Sequence, residues 1–429
     1  MKNYSEINLQ KIHAHSIPSL HGLPIEICPF YDGLNLANIP NSICHWFGIP
    51  SPRPELIDLP EIPLPTGQVK NIILLLVDGL SFERMRTWLE DDRLSHKSNT
   101  GWKFIHENAF FTPLTSVIPS TTANALTCLW TGHFPGEHGV IGYEVFLKEY
   151  QAIVNMILQI PVYPPELNPD TFHFAVNSFL PVPTLGSHFK KHHIHPYAFQ
   201  HETIHDSGLS RMLFPEVDRI AFSSLMDMWK TVNELLDSQE PTRKYIYLYW
   251  SELDTLSHRQ GPDGKKTRAA WQWFSHLLIQ FISQRAKKKA HDTLLLITSD
   301  HGQIASTISP KYEVRNDQQF MRHLVMPPSG ESRLPYIFVK DGHQAAFHQY
   351  LQQRWADEFT LVATDQMIDS GVFGIDKVNR EIRSRMGDFI ALPKGNAYWW
   401  WANKDNHLLG RHGGFSAQEM LTPFLLLTL

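Results

Sequence analysis

The chain alternates between short apolar runs and longer segments with one apolar face. NIILLLV, residues 71–77, is apolar at nearly every position, the pattern of a strand buried on both faces. KYIYLYW (244–250), DTLLLIT (292–298) and the closing LTPFLLLTL (421–429) read the same way, and HPYAFQ (195–200) adds another strand. Between them, SFERMRTWLED (81–91), ANALTCLW (123–130), SHFKK (187–191), MDMWKTVNELLDSQ (226–239) and WQWFSHLLIQFISQRAKKK (271–289) read as helices. The second of these meets a stop signal at Thr131-Gly132, whereas HDSGLSR (205–211) reads as a turn. Strands and helices in alternation predict an α/β fold, a three-layer α/β/α sandwich around a mostly parallel central sheet.

Two regions depart from that rhythm. Residues 1–66 are punctuated by proline, which predicts a mostly irregular N-terminal extension packed on the main body, residues 67–429. The block 305–405 carries strands of its own (YIFVK, TLVAT, DFIAL) and helices, which predicts an inserted cap subdomain.

Composition narrows the class. The 429 residues are 42% hydrophobic, enough for a large core and too many for a disordered chain. A formal net charge of −5 leaves no basic footprint for a nucleic-acid polymer. Cys28, Cys44 and Cys128 make no CxxC pair and no disulfide framework. MKNYSEINLQKIHAHSIPSL lacks the apolar core of a signal peptide, and no stretch reaches the roughly 18 apolar residues of a membrane span. These features predict a soluble, cytoplasmic protein with no membrane contact, and leave the oligomeric state open.

Ligands of open α/β sheets bind outside the carboxyl ends of strands. Acidic residues follow three predicted strand exits: Asp78 after NIILLLV, Asp254 after KYIYLYWSE, and Asp300, beside His301, after DTLLLIT. Asp254 and His258 are spaced i, i+4 and share a face if their segment is helical. His412 in GRHGG has glycines on both sides, which let a backbone enter a crowded site. Taken singly, an Asp at a strand end is a turn or cap, and one His among 24 is structural. The combination is what zinc and similar divalent cations accept as ligands. In VIPSTTANALTCLWTG, Ser120, Thr121 and Thr122 open a helix, whose N-terminal amides attract anions. An ordinary N-cap explains that segment when it is read alone.

The ordered set LLLVDG, PSTTANALTCLWTGHFPGEHGVIGY, SELDTLSHRQGP, TSDHG and GRHGG, spanning residues 71 to about 415, resembles the alkaline phosphatase superfamily. Within it, the closest likeness is to the type I phosphodiesterase and nucleotide pyrophosphatase family. The resemblance implies an alkaline phosphatase-like fold and a two-metal site. One cation would be held by Asp78, Thr122, Asp300 and His301, the other by Asp254, His258 and His412. It implies Thr122 as nucleophile, nine residues before Thr131, with Thr121 the alternative. The run from Pro135 to Gly139 matches the family's Pro-x-x-His-Gly and supports that register.

The cofactors so implied are two divalent cations, Zn2+ suiting the Asp/His set best and Mn2+ also compatible. The implied reaction is hydrolysis of a phosphodiester or nucleotide pyrophosphate-type bond, through a covalent phospho-threonine, in a small phosphate-ester or nucleotide substrate. Tyr143 departs from the family, which carries an asparagine there to hold a phosphoryl oxygen. A phenol still donates one hydrogen bond, so Tyr143 stands as the substrate-binding candidate. The departure keeps alive a phosphomonoesterase, or a phosphonate or sulfate ester hydrolase, on the same site. A monoester's extra charge calls for a cationic partner; Arg211 and Arg333 are candidates, each more readily read as a surface or salt-bridged residue. The aromatic run Tyr398 to Trp401 either stacks a flat leaving group or fills the cap's core. A catalytically idle ligand-binding member would lack a metal ligand, and all seven positions are filled.

Overall fold

The computed structural model describes residues 2–3, 5–54, 56–57, 69–95, 100–288, 292–374 and 378–429. Eight strands form the main sheet, in the order Lys2–Asn3, Phe110–Thr115, Leu421–Thr428, Thr293–Thr298, Asn71–Val77, Arg243–Trp250, Ile194–His201 and Asp218–Phe222. Leu421–Thr428 runs antiparallel to both of its neighbours, and every other pairing in the sheet is parallel. Parallel strands need helical crossovers, and those crossovers cover both faces, so the central strands carry no polar side. Every residue of Asn71–Val77 and of Thr293–Thr298 is accordingly buried.

Strand Arg243–Trp250 shows how the layers engage. Its odd-numbered face presents Tyr245 and Tyr247, which meet the edge of Trp130 at ring separations of 5.5 and 5.3 Å. Trp130 belongs to helix Thr122–Thr131, so this contact seats that helix on one face of the sheet. Trp250 points the other way and stacks on Phe274 of helix Lys265–Ala286 at 4.2 Å. The adjacent strands Thr293–Thr298, Asn71–Val77 and Arg243–Trp250 are in step, with Thr298 opposite Leu76 and Val77 opposite Trp250. Three carboxyl ends therefore open at one place.

A second sheet of seven strands is antiparallel throughout. Its order is Phe359–Ala363, Phe389–Pro393, Leu334–Ile337, Ser329–Glu331, Glu144–Leu147, Ala152–Asn155 and Ile160–Tyr163. YIFVK, TLVAT and DFIAL contribute strands to it. Three further strands come from residues 144–163, where no strand was expected, and Gly330 opposite Glu144 joins the two contributions. A separate apolar cluster underlies this region, with Trp399 packed among Phe320, Trp355 and Phe359. Among the described residues, no helix is long and apolar enough to cross a membrane.

Two stretches hold regular structure that the sequence pattern did not indicate. Within residues 1–66, helices span Ser5–Ala14 and Ile39–Phe47. Pro40 lies in the first turn of the second helix, where its missing N–H costs nothing, and Gly48 ends it in a left-handed conformation (φ 68°). HDSGLSR is no simple turn: Ser207 accepts from the Ser210 backbone N–H and starts helix Gly208–Leu213.

One buried ion pair links the two sheets. Arg333, in the turn before strand Leu334–Ile337, donates Nε and Nη2 to the two oxygens of Glu419 at 2.9 and 2.7 Å. Glu419 lies in the short helix Ala417–Met420 that leads into Leu421–Thr428. Burial pushes the Glu419 carboxyl up, but Arg333 and hydrogen bonds from Ser416 and Gly414 outweigh it and hold the group below its usual range. A depressed folded pKa stabilises the fold above the unfolded value of about 4.3, and that contribution is lost as pH falls through the folded value. Arg333→Met should cost about 3–5 kcal/mol at pH 7, because it strands a buried carboxylate. Urea midpoints should show the gap to the unmodified protein narrowing as acid protonates Glu419.

Candidate active site and metal centre

The three adjacent strand ends bring together the residues singled out by sequence. Asp78 directly follows strand Asn71–Val77, and its backbone N–H donates to the Trp250 carbonyl at 3.0 Å. Gly79 comes next at φ +74°, and a Cβ there would stand 3.0 Å from Asp254 Oδ1. Only glycine lets these two strand exits close so tightly. Asp254 and His258 share a face of helix Glu252–Gln260, with Oδ2 and Nε2 3.4 Å apart. Asp300 is oriented through Oδ1, which accepts from the backbone N–H groups of Gly79 (3.2 Å) and His301 (3.0 Å) and from the Ser299 hydroxyl (3.3 Å). His412 arrives on a two-residue ladder that pairs Ile304–Ala305 with Gly410–Arg411. Thr122 is the first residue of its helix. Thr121 holds the N-cap position, but its side chain makes no capping bond.

All three histidines are locked in the same way. Nδ1 of His258 bonds the Gly410 carbonyl (2.8 Å), Nδ1 of His301 the Gly302 carbonyl (3.0 Å) and Nδ1 of His412 the Ser120 carbonyl (3.0 Å). A carbonyl only accepts, so each Nδ1 carries the proton and each Nε2 offers a lone pair. Metal-binding imidazoles are oriented in this way, by a bond from the ring nitrogen that faces away from the ion. The His301 and His412 rings stack 3.8 Å apart. His301 Nε2 lies 3.5 Å from Asp300 Oδ2, 3.6 Å from Asp78 Oδ1 and 3.1 Å from the Thr122 hydroxyl, which donates to it.

Charge makes the fit to cations specific. Burial, then Asp300 and Asp254, push the Asp78 carboxyl well above its ordinary range. Burial, with His301 and His258 adding to it, keeps His412 well below the usual imidazole range, hence neutral. The Tyr249 hydroxyl donates to Asp78 Oδ2 and the Gln303 amide to Asp254 Oδ1. Asp78 Oδ1 and Asp300 Oδ2 remain buried without any hydrogen-bond partner. Two orphaned carboxylate oxygens and three aligned imidazole lone pairs suit divalent cations. Ligand atoms of Asp254, His258 and His412 converge within 4.8 Å of one another, as do those of Asp78, Asp254 and His301, so Asp254 reaches both groups.

A cavity of about 310 Å³ opens over this cluster, larger than a phosphoryl group requires. Tyr143 lines it, and its backbone N–H donates to Glu331 at 2.8 Å. Burial, then Glu144, raise the Tyr143 phenol, which stays protonated as a donor. Arg333 is committed to Glu419, and Arg211 lies on the surface bonded to the Asp206 carbonyl; neither lines the cavity. The aromatic run divides: Trp399 fills the second apolar cluster, while Trp401 donates Nε1 to Glu144 in the cavity wall. Four charged cavity residues went unnoticed in the sequence, Glu144, Glu331, Lys404 and Arg411. Burial pushes the Glu331 carboxyl up to about 8. No spacing signal marks Glu331, whereas Arg411 stood within the GRHGG motif.

The family model for type I phosphodiesterase / nucleotide pyrophosphatase matches residues 72–415. The chain belongs to that family. No curated protein sequence matches it. Among solved structures, murine ectonucleotide pyrophosphatase / phosphodiesterase 5 superposes with a TM-score of 0.60 at 18% identity, covering 83% of this chain and 87% of that one. The human counterpart gives 0.59 at 19% identity over the same shares. Phosphonoacetate hydrolase from Sinorhizobium meliloti gives 0.56 at 14% identity, covering 84% of this chain and 90% of that one. At these identities the likeness is one of fold, mixed α/β around a large, mostly parallel sheet. The family and its enzymatic neighbours make this chain a member of a hydrolase family with a carboxylate and histidine site of the kind that takes divalent metal.

Zinc titrated into chelator-stripped protein should bind at two ions per chain by elemental analysis, and His258→Ala should bind one fewer. At free zinc 100-fold above its dissociation constant, each bound ion should add about 2.7 kcal/mol to the folded state, read as a rise in Tm.

Proposed function

We propose that this protein hydrolyses phosphodiester or nucleotide pyrophosphate-type bonds through a covalent phospho-threonine on Thr122. The observation that carries the reading is the placement of the Thr122 hydroxyl at a helix N-terminus, 3.1 Å from His301 Nε2 and beside two unpartnered carboxylate oxygens. Asp78, Asp300, His301 and Thr122 would hold one divalent cation, and Asp254, His258 and His412 the other. Bound there, Zn2+ or Mn2+ would depress the Thr122 hydroxyl pKa and neutralise charge on the attacking and leaving oxygens.

The protein's own groups do the rest. Helix Thr122–Thr131 aims its first free amides at the charge that develops on the phosphoryl oxygens. Thr122 Oγ1 forms a bond to phosphorus as the bond to the leaving oxygen breaks, and that oxygen leaves protonated. Water then attacks phosphorus from the vacated side, the bond to Thr122 breaks, and the hydroxyl is restored; one water is consumed overall. Tyr143, at the family's asparagine position, supplies a phenolic donor to a phosphoryl oxygen. The family match and the AMP bound by an inactive form of the murine neighbour support a nucleotide-type substrate.

Thr122→Ala should lower kcat on bis(p-nitrophenyl) phosphate and on the p-nitrophenyl ester of thymidine monophosphate at least about 10³-fold. Thr121→Ala should stay within about tenfold of the unmodified protein, since its hydroxyl is engaged by Glu331. Full activity in Thr122→Ala would remove the nucleophile assignment. Faster turnover of p-nitrophenyl phosphate than of either diester would favour the phosphomonoesterase reading instead.

A further inference from the structure

Among the described residues, five arginines are buried: Arg53, Arg285, Arg333, Arg385 and Arg411. Four meet a carboxylate, Arg53 with Glu137 (3.0 Å), Arg285 with Asp237 (2.6 Å), Arg333 with Glu419 (2.7 Å) and Arg385 with Glu149 (3.8 Å). Arg411, only 1% exposed, has no carboxylate partner among the described residues. It donates to Asn406 Oδ1 and, at 3.4 Å, to the Ser332 hydroxyl, and its Nε has no partner. Its guanidinium lies 3.6 Å from the Tyr398 ring centre and 5.3 Å from that of Trp400. Ring faces offset part of the desolvation of a cation, but a buried charge with no counter-charge stays costly.

Arg411 lines the cavity above the strand ends. The cavity's three acids make no ion pair with it: Asp254 accepts from Gln303, Glu144 from Trp401 Nε1, and Glu331 from Tyr143 and Thr121. Lys404 lines the same cavity, its ammonium 5.8 Å from the Trp400 ring centre, so a second cation shares the aromatic wall. None of the groups around the guanidinium (Tyr398, Trp400, Asn406, Ser332) is a candidate metal ligand. Arg411 precedes His412 in the chain and its charge reaches that ring, but its guanidinium bonds none of the clustered carboxylates and imidazoles.

We propose that Arg411, with Lys404, forms an anion subsite in the substrate cavity, and that the substrate carries a second anionic group, phosphate or carboxylate, besides the phosphorus attacked by Thr122. This deepens the phosphodiesterase reading and rests on it. The planar fork of a guanidinium pairs with two oxygens of either anion, and Lys404 adds a point charge.

Three substrates separate the possibilities: bis(p-nitrophenyl) phosphate, with no second anion; adenosine diphosphate, with a second phosphate; and p-nitrophenyl 2-carboxyethyl phosphate, with a carboxylate. The unmodified protein should favour one of the two anionic substrates over the first by about tenfold or more in kcat/KM, and which one identifies the anion. Arg411→Gln should reduce that preference at least about tenfold, mainly through KM, and Arg411→Lys should recover part of it. Calorimetry of the same anionic compound binding to Thr122→Ala, with and without Arg411→Gln, should show the matching loss of affinity. Equal losses on all three substrates would make Arg411 a structural residue and overturn the proposal. If Arg411→Gln does not fold, Lys404→Gln at the exposed position carries the test: a reduced preference supports the subsite, and an unchanged one overturns it. No hydrolysis of any diester would instead refute the underlying phosphodiesterase reading, whereas diester hydrolysis with no preference for a second anion refutes the subsite alone.

Discussion

The crowding of three carboxylates at the ends of three neighbouring parallel strands governs the rest of this structure. Two like charges 4 Å apart repel by about 4 kcal/mol at an effective dielectric of 20, and burial removes the water that would screen them. The chain assembles this unfavourable arrangement anyway and spends other groups on aiming it. Gly79 omits a side chain so that Asp254 can approach. Tyr249 and Gln303 donate to the outer oxygens of Asp78 and Asp254, and Asp300 is held by three donors on one oxygen. Such a cluster is stable when positive charge enters it, which ties the local fold to divalent cations.

The histidines meet the same constraint from the other side. A protonated imidazole would relieve the carboxylates and forfeit a metal lone pair. In the neutral ring, backbone carbonyls at Gly302, Gly410 and Ser120 hold the proton on Nδ1 and leave the more basic Nε2 lone pair toward the carboxylates. Two of these carbonyls belong to loops tied down elsewhere. Ser120 accepts from the Gly413 N–H and donates to the Gly414 carbonyl, while Gly414 and Ser416 are held by Glu419, itself paired with Arg333. The ion pair linking the sheets therefore also sets where His412 stands.

The second sheet shapes what enters the site. Its junction at Gly330 and Glu144 places Glu331 and Tyr143 on one part of the cavity, and the aromatic wall brings in Arg411 and Lys404. The walls combine acidic, cationic and aromatic groups, so discrimination among ligands rests on the parts that reach them.

Local pattern alone revealed the central strands, because a strand buried on both faces is apolar throughout, and it placed Asp78, Asp254 and Asp300 at their exits. The i, i+4 spacing of Asp254 and His258 was equally legible, since it needs only a helix. Pattern failed where burial comes from distant neighbours. Strand Phe110–Thr115 and the strands of 144–163 carry no clear period, and helix Ile39–Phe47 hides among prolines that tolerate its first turn. For Arg333 the sequence left both a substrate partner and a salt bridge open, and Glu419, 86 residues away, makes it the latter. Arg411 drew no notice for the converse reason, that its isolation from carboxylates exists only in three dimensions. The sequence by itself determined which residues are apolar, where strands end and which ligand types follow them. The tertiary structure decided which charges meet, because periodicity records the face a residue presents and not the partner waiting there.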